Sequence, residues 1–176
     1  MNLAIFLTLI RVLLVPALII AITYNSPAAL SIFVLGCLTD ALDGYVARTF
    51  NQKTEFGTFL DPLADKLLLI SAFLSIYFHS GFAIRPPTWV ITLIASRDVL
   101  IIMGLVILFF TTGKINVVPN LLGKVTTFFQ MLTVVFLFLQ NKWSPVLWNV
   151  TAFLTIISGS AYIIREARRL HEVPVS

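Results

Sequence analysis

The sequence predicts an all-α integral membrane protein, six transmembrane helices in a single domain over residues 1–176, and three observations carry that expectation. First, 59% of the residues are hydrophobic, 11% are charged and the mean hydropathy is +0.98. A soluble domain carries about 25% charged residues, so this chain has too little polar surface to coat a globule in water. Second, the apolar residues fall in blocks of the length that spans a bilayer, about 20 residues each. Third, short polar or proline-containing breaks separate the blocks.

The expected spans are 3–24, 28–47, 62–80, 88–110, 121–139 and 145–164. Asn25-Ser26-Pro27 ends the first, Arg85-Pro86-Pro87 precedes the fourth, Thr112-Gly113-Lys114 follows it, and Asn141 to Pro145 precede the sixth. In lipid every backbone polar group needs an internal partner, and blocks of this length achieve that as helices. The first block lacks a basic leading segment and more spans follow it, so it reads as a retained helix and not a cleaved signal. No repeat or low-complexity run interrupts the pattern.

The net charge of +4 does not point to nucleic acid, because the basic residues punctuate block ends and form no stripe. With the N-terminus inside, the inner loops and tail hold Arg48, Lys53, Lys114, Arg165, Arg168 and Arg169, and the outer loops hold Arg85 and Lys142. This bias predicts both termini, and the acidic cluster described next, on the cytoplasmic side. The lack of an organelle-targeting segment adds the expectation of a prokaryotic inner membrane. Cys37, the single cysteine, lies in an apolar run and reads as packing. The Arg165-Glu166-Ala167-Arg168-Arg169 tail reads as an inner-face anchor to membrane lipids.

The chemistry concentrates in residues 39–66, TDALDGYVARTFNQKTEFGTFLDPLADK. Four of the eight acidic residues stand here: Asp40, Asp43, Asp61 and Asp65. Residues three or four apart share a helix face, so each pair lines one face of its helix, and a short loop folds the two faces together. Four carboxylates at a bilayer edge repel one another and are costly to desolvate. They either protonate or bind cations, and such oxygen donors suit hard divalent ions such as Mg²⁺, Mn²⁺ or Ca²⁺. Two such ions held close together can clamp a phosphoryl group. Gly44, Ala47 and, in the loop, Gly57 leave room for a ligand near the backbone, and Arg48 adds a cation suited to a pyrophosphate.

The spacing Asp40-x2-Asp43-Gly44-x2-Ala47-Arg48-x8-Gly57-x3-Asp61-x3-Asp65 resembles the signature of the class I CDP-alcohol phosphotransferases. The resemblance implies a six-helix membrane fold, often a homodimer, with two divalent cations, Mg²⁺ or Mn²⁺. It implies that Asp40, Asp43 and Asp61 bind metal and that Asp65 is both ligand and general base. It assigns Asp40, Gly44, Ala47, Arg48 and Gly57 to the CDP moiety. The implied reaction is attack of an acceptor hydroxyl on CDP-diacylglycerol, with CMP leaving.

Arg11, Arg97, Asp98 and Lys124 are charges inside the other blocks. They are expected to face the acidic pocket and bind the acceptor, an anionic lipid or phosphorylated alcohol. The alternative is that Arg97 and Asp98 satisfy other buried groups and Arg11 reaches to the interface. Compared with phosphatidylglycerophosphate synthases of the family, the chain has Ser96-Arg97-Asp98 in place of Ala-Arg-Glu. It also has Leu105 and Thr126 where those enzymes carry cations. Ser96-Arg97-Asp98-Val99, Lys124-Val125-x-Thr127 and Trp148-x2-Thr151-Ala152-Phe153 resemble the family's cardiolipin synthases. The expected acceptor is therefore phosphatidylglycerol, with glycerol 3-phosphate the alternative. A cation or proton transporter also keeps acids inside the membrane, but near its midplane and on broken helices. Here the acids stand at one edge.

Overall fold

The computed structural model describes the backbone at residues 3–24, 26–49, 55–112 and 121–172, and side chains at 8–24, 27–40, 63–104, 106–107 and 121–165. The chain forms six helices, α1 (Leu3–Tyr24), α2 (Ser26–Thr49), α3 (Glu55–Phe78), α4 (Thr88–Thr112), α5 (Leu121–Phe138) and α6 (Ser144–Glu172). No strand occurs among the described residues. Each expected span corresponds to one helix.

Two boundaries differ by more than two residues. α3 begins at Glu55, seven residues ahead of the expected 62, and α6 runs on to Glu172. Hydropathy marks where the chain turns apolar; a helix can continue into polar sequence beyond that edge. The correction matters for Gly57 and Asp61, because Gly57, expected in a loop, stands in the first turn of α3. α2 starts at Ser26 with Pro27 as its second residue. That site suits proline, since the first turn has no intrahelical use for its amide. Pro16 sits inside α1, where it removes one intrahelical hydrogen bond.

α1 packs along both α2 and α3; α5 lies against α6, and α6 against α4; α3 also meets α4 and α5. The apolar core draws on all six helices. Phe33, Phe73, Leu69, Ile76, Val90 and Leu137 are buried there, and the Phe138 ring stands 6.0 Å from Phe33 and 6.1 Å from Phe82. Cys37 is half-buried against this core, as its apolar setting predicts. α5 and α6 are joined by hydroxyl contacts: Thr133 and Thr151 share a hydrogen bond of 2.8 Å, and the Thr126 hydroxyl donates to Leu122 O at 2.7 Å and to Leu154 O at 3.3 Å. Such bonds hold helices together where apolar contact gives no net drive. Among the described residues, the segments Leu121–Phe138 and Ser144–Arg165 are long and apolar enough to cross a membrane.

At the end remote from the acidic residues, Gln140 fastens the α3–α4 loop. Its Oε1 accepts from Ile84 N at 2.8 Å, and its Nε2 donates to Ile84 O at 3.1 Å and Leu137 O at 2.8 Å. Its φ is 48°, a left-handed value unfavourable to most side chains. The backbone is held there by three hydrogen bonds. Gln140→Ala keeps the strained turn and removes the clasp. It is expected to lower stability by about 1–3 kcal/mol, with catalysis unchanged, in thermal unfolding of the detergent-solubilised protein.

Candidate active site

The charged side chains fall into two groups joined by α3. In the first, Arg11 of α1 lies between carboxylates from two other helices. Its Nη1 donates to Asp65 Oδ1 at 2.5 Å, and its Nη2 stands 3.5 Å from Asp40 Oδ1. Arg11 is 0% exposed, while the Asp40 and Asp65 side chains keep 34% and 20% of their surface open. A fully buried guanidinium is thus covered by two carboxylates that stay partly open to solvent. Close approach of α2 to α3 makes the pairing possible. Gly36, one turn before Asp40, lies against Leu68, and a Cβ there would collide with the Leu68 side chain.

In the second group, Asp98 of α4 is the shared anion. Its Oδ1 accepts from Arg97 Nη1 at 2.7 Å and pairs with Lys66 Nζ at 3.0 Å. Arg97 Nη2 donates to Ser158 Oγ of α6 at 2.9 Å. Gly123, at the start of α5, leaves space for that guanidinium. All three charges are largely removed from solvent, with Asp98 at 0% exposed, Arg97 at 6% and Lys66 at 12%.

Sequence grouped Arg11, Arg97, Asp98 and Lys124 as one acceptor set, and they do not form one group. Arg11 sits with Asp40 and Asp65, Arg97 pairs with Asp98, and Lys124 is exposed on α5. Lys66 and Ser158 were missed. Lys66 is an ionisable residue inside the third apolar block, the same signal that singled out Arg97. Ser158 carries no sequence signal.

The side chains of Asp43, Gly44, Ala47, Arg48, Gly57 and Asp61 lie outside the described residues, as does that of Leu105. Their backbone positions are set: residues 43–48 in the last turns of α2, and 57 and 61 in the first turns of α3. Among the described residues no three acidic, histidine or cysteine side chains form a group. The donor chemistry of Asp40 and Asp65, carboxylate oxygens in a half-open site, fits a hard divalent cation.

A family model for the CDP-alcohol phosphatidyltransferases matches residues 1–158. The chain belongs to that family. It is similar to a "Probable phosphatidylglycerophosphate synthase" of Mycobacterium tuberculosis, at 33% identity over 95% of this chain and 82% of the relative. It is also similar to the "CDP-diacylglycerol--glycerol-3-phosphate 3-phosphatidyltransferase" of Rickettsia bellii, at 37% over 92% and 93%. The protein of the same description from Bacillus subtilis is 38% identical over 74% of this chain and 69% of the relative. The resemblance read from residues 40–65 is therefore borne out, and the chain is a phosphatidyltransferase of this family.

Proposed function

We propose that the chain transfers the phosphatidyl group of CDP-diacylglycerol to glycerol 3-phosphate and releases CMP. The observation that carries the reaction is the meeting of Asp40 and Asp65, from separate helices, on one buried arginine within the family's signature. Relatives whose names specify glycerol 3-phosphate carry the acceptor. Phosphatidylglycerol fits the family but is the less favoured acceptor; that expectation rested on missing cations at Leu105 and Thr126 and on stretches resembling cardiolipin synthases. Position 126 is an uncertain guide to the acceptor, because the buried Thr126 hydroxyl bonds carbonyls of α5 and α6.

In this reading Asp40, Asp43, Asp61 and Asp65 would hold two divalent cations, Mg²⁺ or Mn²⁺. When bound, the ions supply charge stabilisation at the pyrophosphate and at the departing CMP. Gly44, Ala47, Arg48 and Gly57 take the CDP moiety with Asp40. Asp65 accepts the proton of the attacking hydroxyl, a role that needs a carboxylate within reach of it. Arg11 aligns Asp65 and Asp40. Arg97 and Asp98 belong to the acceptor side. The enzyme works as a multi-pass protein of a bacterial cytoplasmic membrane, with the acidic residues and both termini on the cytoplasmic face, and as a homodimer.

The test supplies purified protein with labelled CDP-diacylglycerol, either acceptor, and Mg²⁺, Mn²⁺ or chelator. Phosphatidylglycerophosphate as the main product, lost in chelator and restored by metal, is the expected result. Cardiolipin as the main product overturns the acceptor while keeping the donor chemistry. Full CMP release in chelator overturns the metal.

A further inference from the structure

Successive residues of α3 serve the two charged groups. A helix turns about 100° per residue, so Asp65 meets Arg11 of α1 while Lys66 meets Asp98 of α4. The second group carries two cations and one anion, a net charge of +1 from Lys66, Arg97 and Asp98. One carboxylate oxygen, Asp98 Oδ1, serves both cations. Lys66 Nζ is held only by Asp98 Oδ1 at 3.0 Å, and Arg97 Nε and Asp98 Oδ2 are buried with no hydrogen-bond partner. One carboxylate leaves the second buried cation uncompensated, and buried polar atoms without a partner are rare enough to require a cause. A cluster with one cation in excess and free donors is the receiving half of an anion site.

We infer that Lys66 is a ligand for the acceptor's phosphate, working with Arg97, and that Asp98 holds the two cations in register until that phosphate arrives. This rests on the proposed transfer to a glycerol phosphate. The ligand chemistry is a phosphate esterified to glycerol, whether free or as a lipid headgroup. Asp65 and Lys66 have Cα atoms about 3.8 Å apart. The proposed base and the phosphate ligand thus stand on neighbouring residues of one rigid helix. Asp98 keeps the lysine and arginine from repelling each other, and its unpartnered Oδ2 leaves it free to shift as a second anion enters. Lys66 donates as a mobile point charge, while Arg97 is fixed from its other side by Ser158.

The experiment compares the purified full-length protein with Lys66→Met, Lys66→Arg and the double variant Lys66→Met/Asp98→Asn. The double variant keeps a net charge of +1 in the cluster, carried by Arg97 alone. KM is measured for CDP-diacylglycerol and for each of the two acceptors, glycerol 3-phosphate and phosphatidylglycerol. Thermal unfolding is followed with and without inorganic phosphate as a probe independent of turnover. For whichever acceptor the unaltered protein uses, Lys66→Met and the double variant are expected to raise KM about 10- to 100-fold, the factor for one charge-assisted hydrogen bond. The donor KM stays within about twofold, and Lys66→Arg recovers most of the loss. Phosphate stabilises the unaltered protein and not Lys66→Met. An unchanged acceptor KM in the double variant overturns the inference. So does donor KM rising in step with acceptor KM, or equal stabilisation by phosphate with and without Lys66. If phosphatidylglycerol is the acceptor used, the glycerol 3-phosphate reading fails and the Lys66 inference is judged on that lipid. If neither is used, the phosphate arm decides it.

Discussion

Asp65→Asn is expected to lower turnover by about 10²–10⁴-fold, the range lost when a positioned general base is removed. The amide is close to the carboxylate in shape but cannot take a proton. It also offers one oxygen in place of two, so part of the contact to Arg11 survives through that oxygen. Binding of CDP-diacylglycerol, measured at equilibrium with labelled donor, should weaken far less than turnover, because Asp40 remains on the same arginine. Gly36→Leu provides a second view of the same geometry. The extra side chain would press on Leu68 and separate α2 from α3, costing about 1–3 kcal/mol of stability as overpacking and moving Asp40 away from Asp65. If Asp65→Asn binds donor poorly yet turns over normally at saturation, Asp65 is a donor-binding residue and not the base.

The helix count was legible because each apolar block is long enough for several helical turns and is bounded by a polar or proline-containing break. The helix ends were less so. Nothing in hydropathy marks Glu55 as the start of α3 or Glu172 as the end of α6, because the polar overhang of a helix is invisible to a measure of apolar length. For the site, Asp40 and Asp65 were legible through spacing alone. A spacing of three or four fixes a face, and a short connection returns the next helix to it. What spacing does not contain is which helix lies on the far side of that face. Arg11 and Arg97 look alike in sequence, each a cation within an apolar block, and only the packing of α1 against both α2 and α3 separates them. Lys66 was hidden by its neighbour. Read along the chain it extends an acidic motif; on the helix it points to α4 and belongs to a different set.

The effect expected of Arg11→Met is a stability effect before it is a catalytic one. Arg11 is fully buried and carries the only cation within ion-pair distance of both Asp40 and Asp65 among the described residues. Methionine fills similar volume but leaves two carboxylates facing one another across α2 and α3. Removing one partner of a fully buried ion pair costs about 3–5 kcal/mol, and the cost is smaller here because Asp40 and Asp65 keep 34% and 20% of their side-chain surface open. Here two like charges remain, so repulsion adds to that cost. Lysine is a weaker repair than its charge implies, since one ammonium cannot present the two nitrogens that Arg11 directs at separate helices. The expected order of unfolding temperature in chelator is therefore unaltered protein, then Arg11→Lys, then Arg11→Met. A divalent cation should narrow the gap, because it supplies the positive charge that the arginine took with it, and anything binding only the folded state raises its apparent stability. Thermal unfolding of the detergent-solubilised protein across a Mg²⁺ or Mn²⁺ titration measures this without reference to turnover. Equal unfolding temperatures for the unaltered protein and Arg11→Met in chelator would show that Asp40 and Asp65 do not depend on Arg11. A gap that metal leaves untouched would remove the carboxylate pair from the metal site.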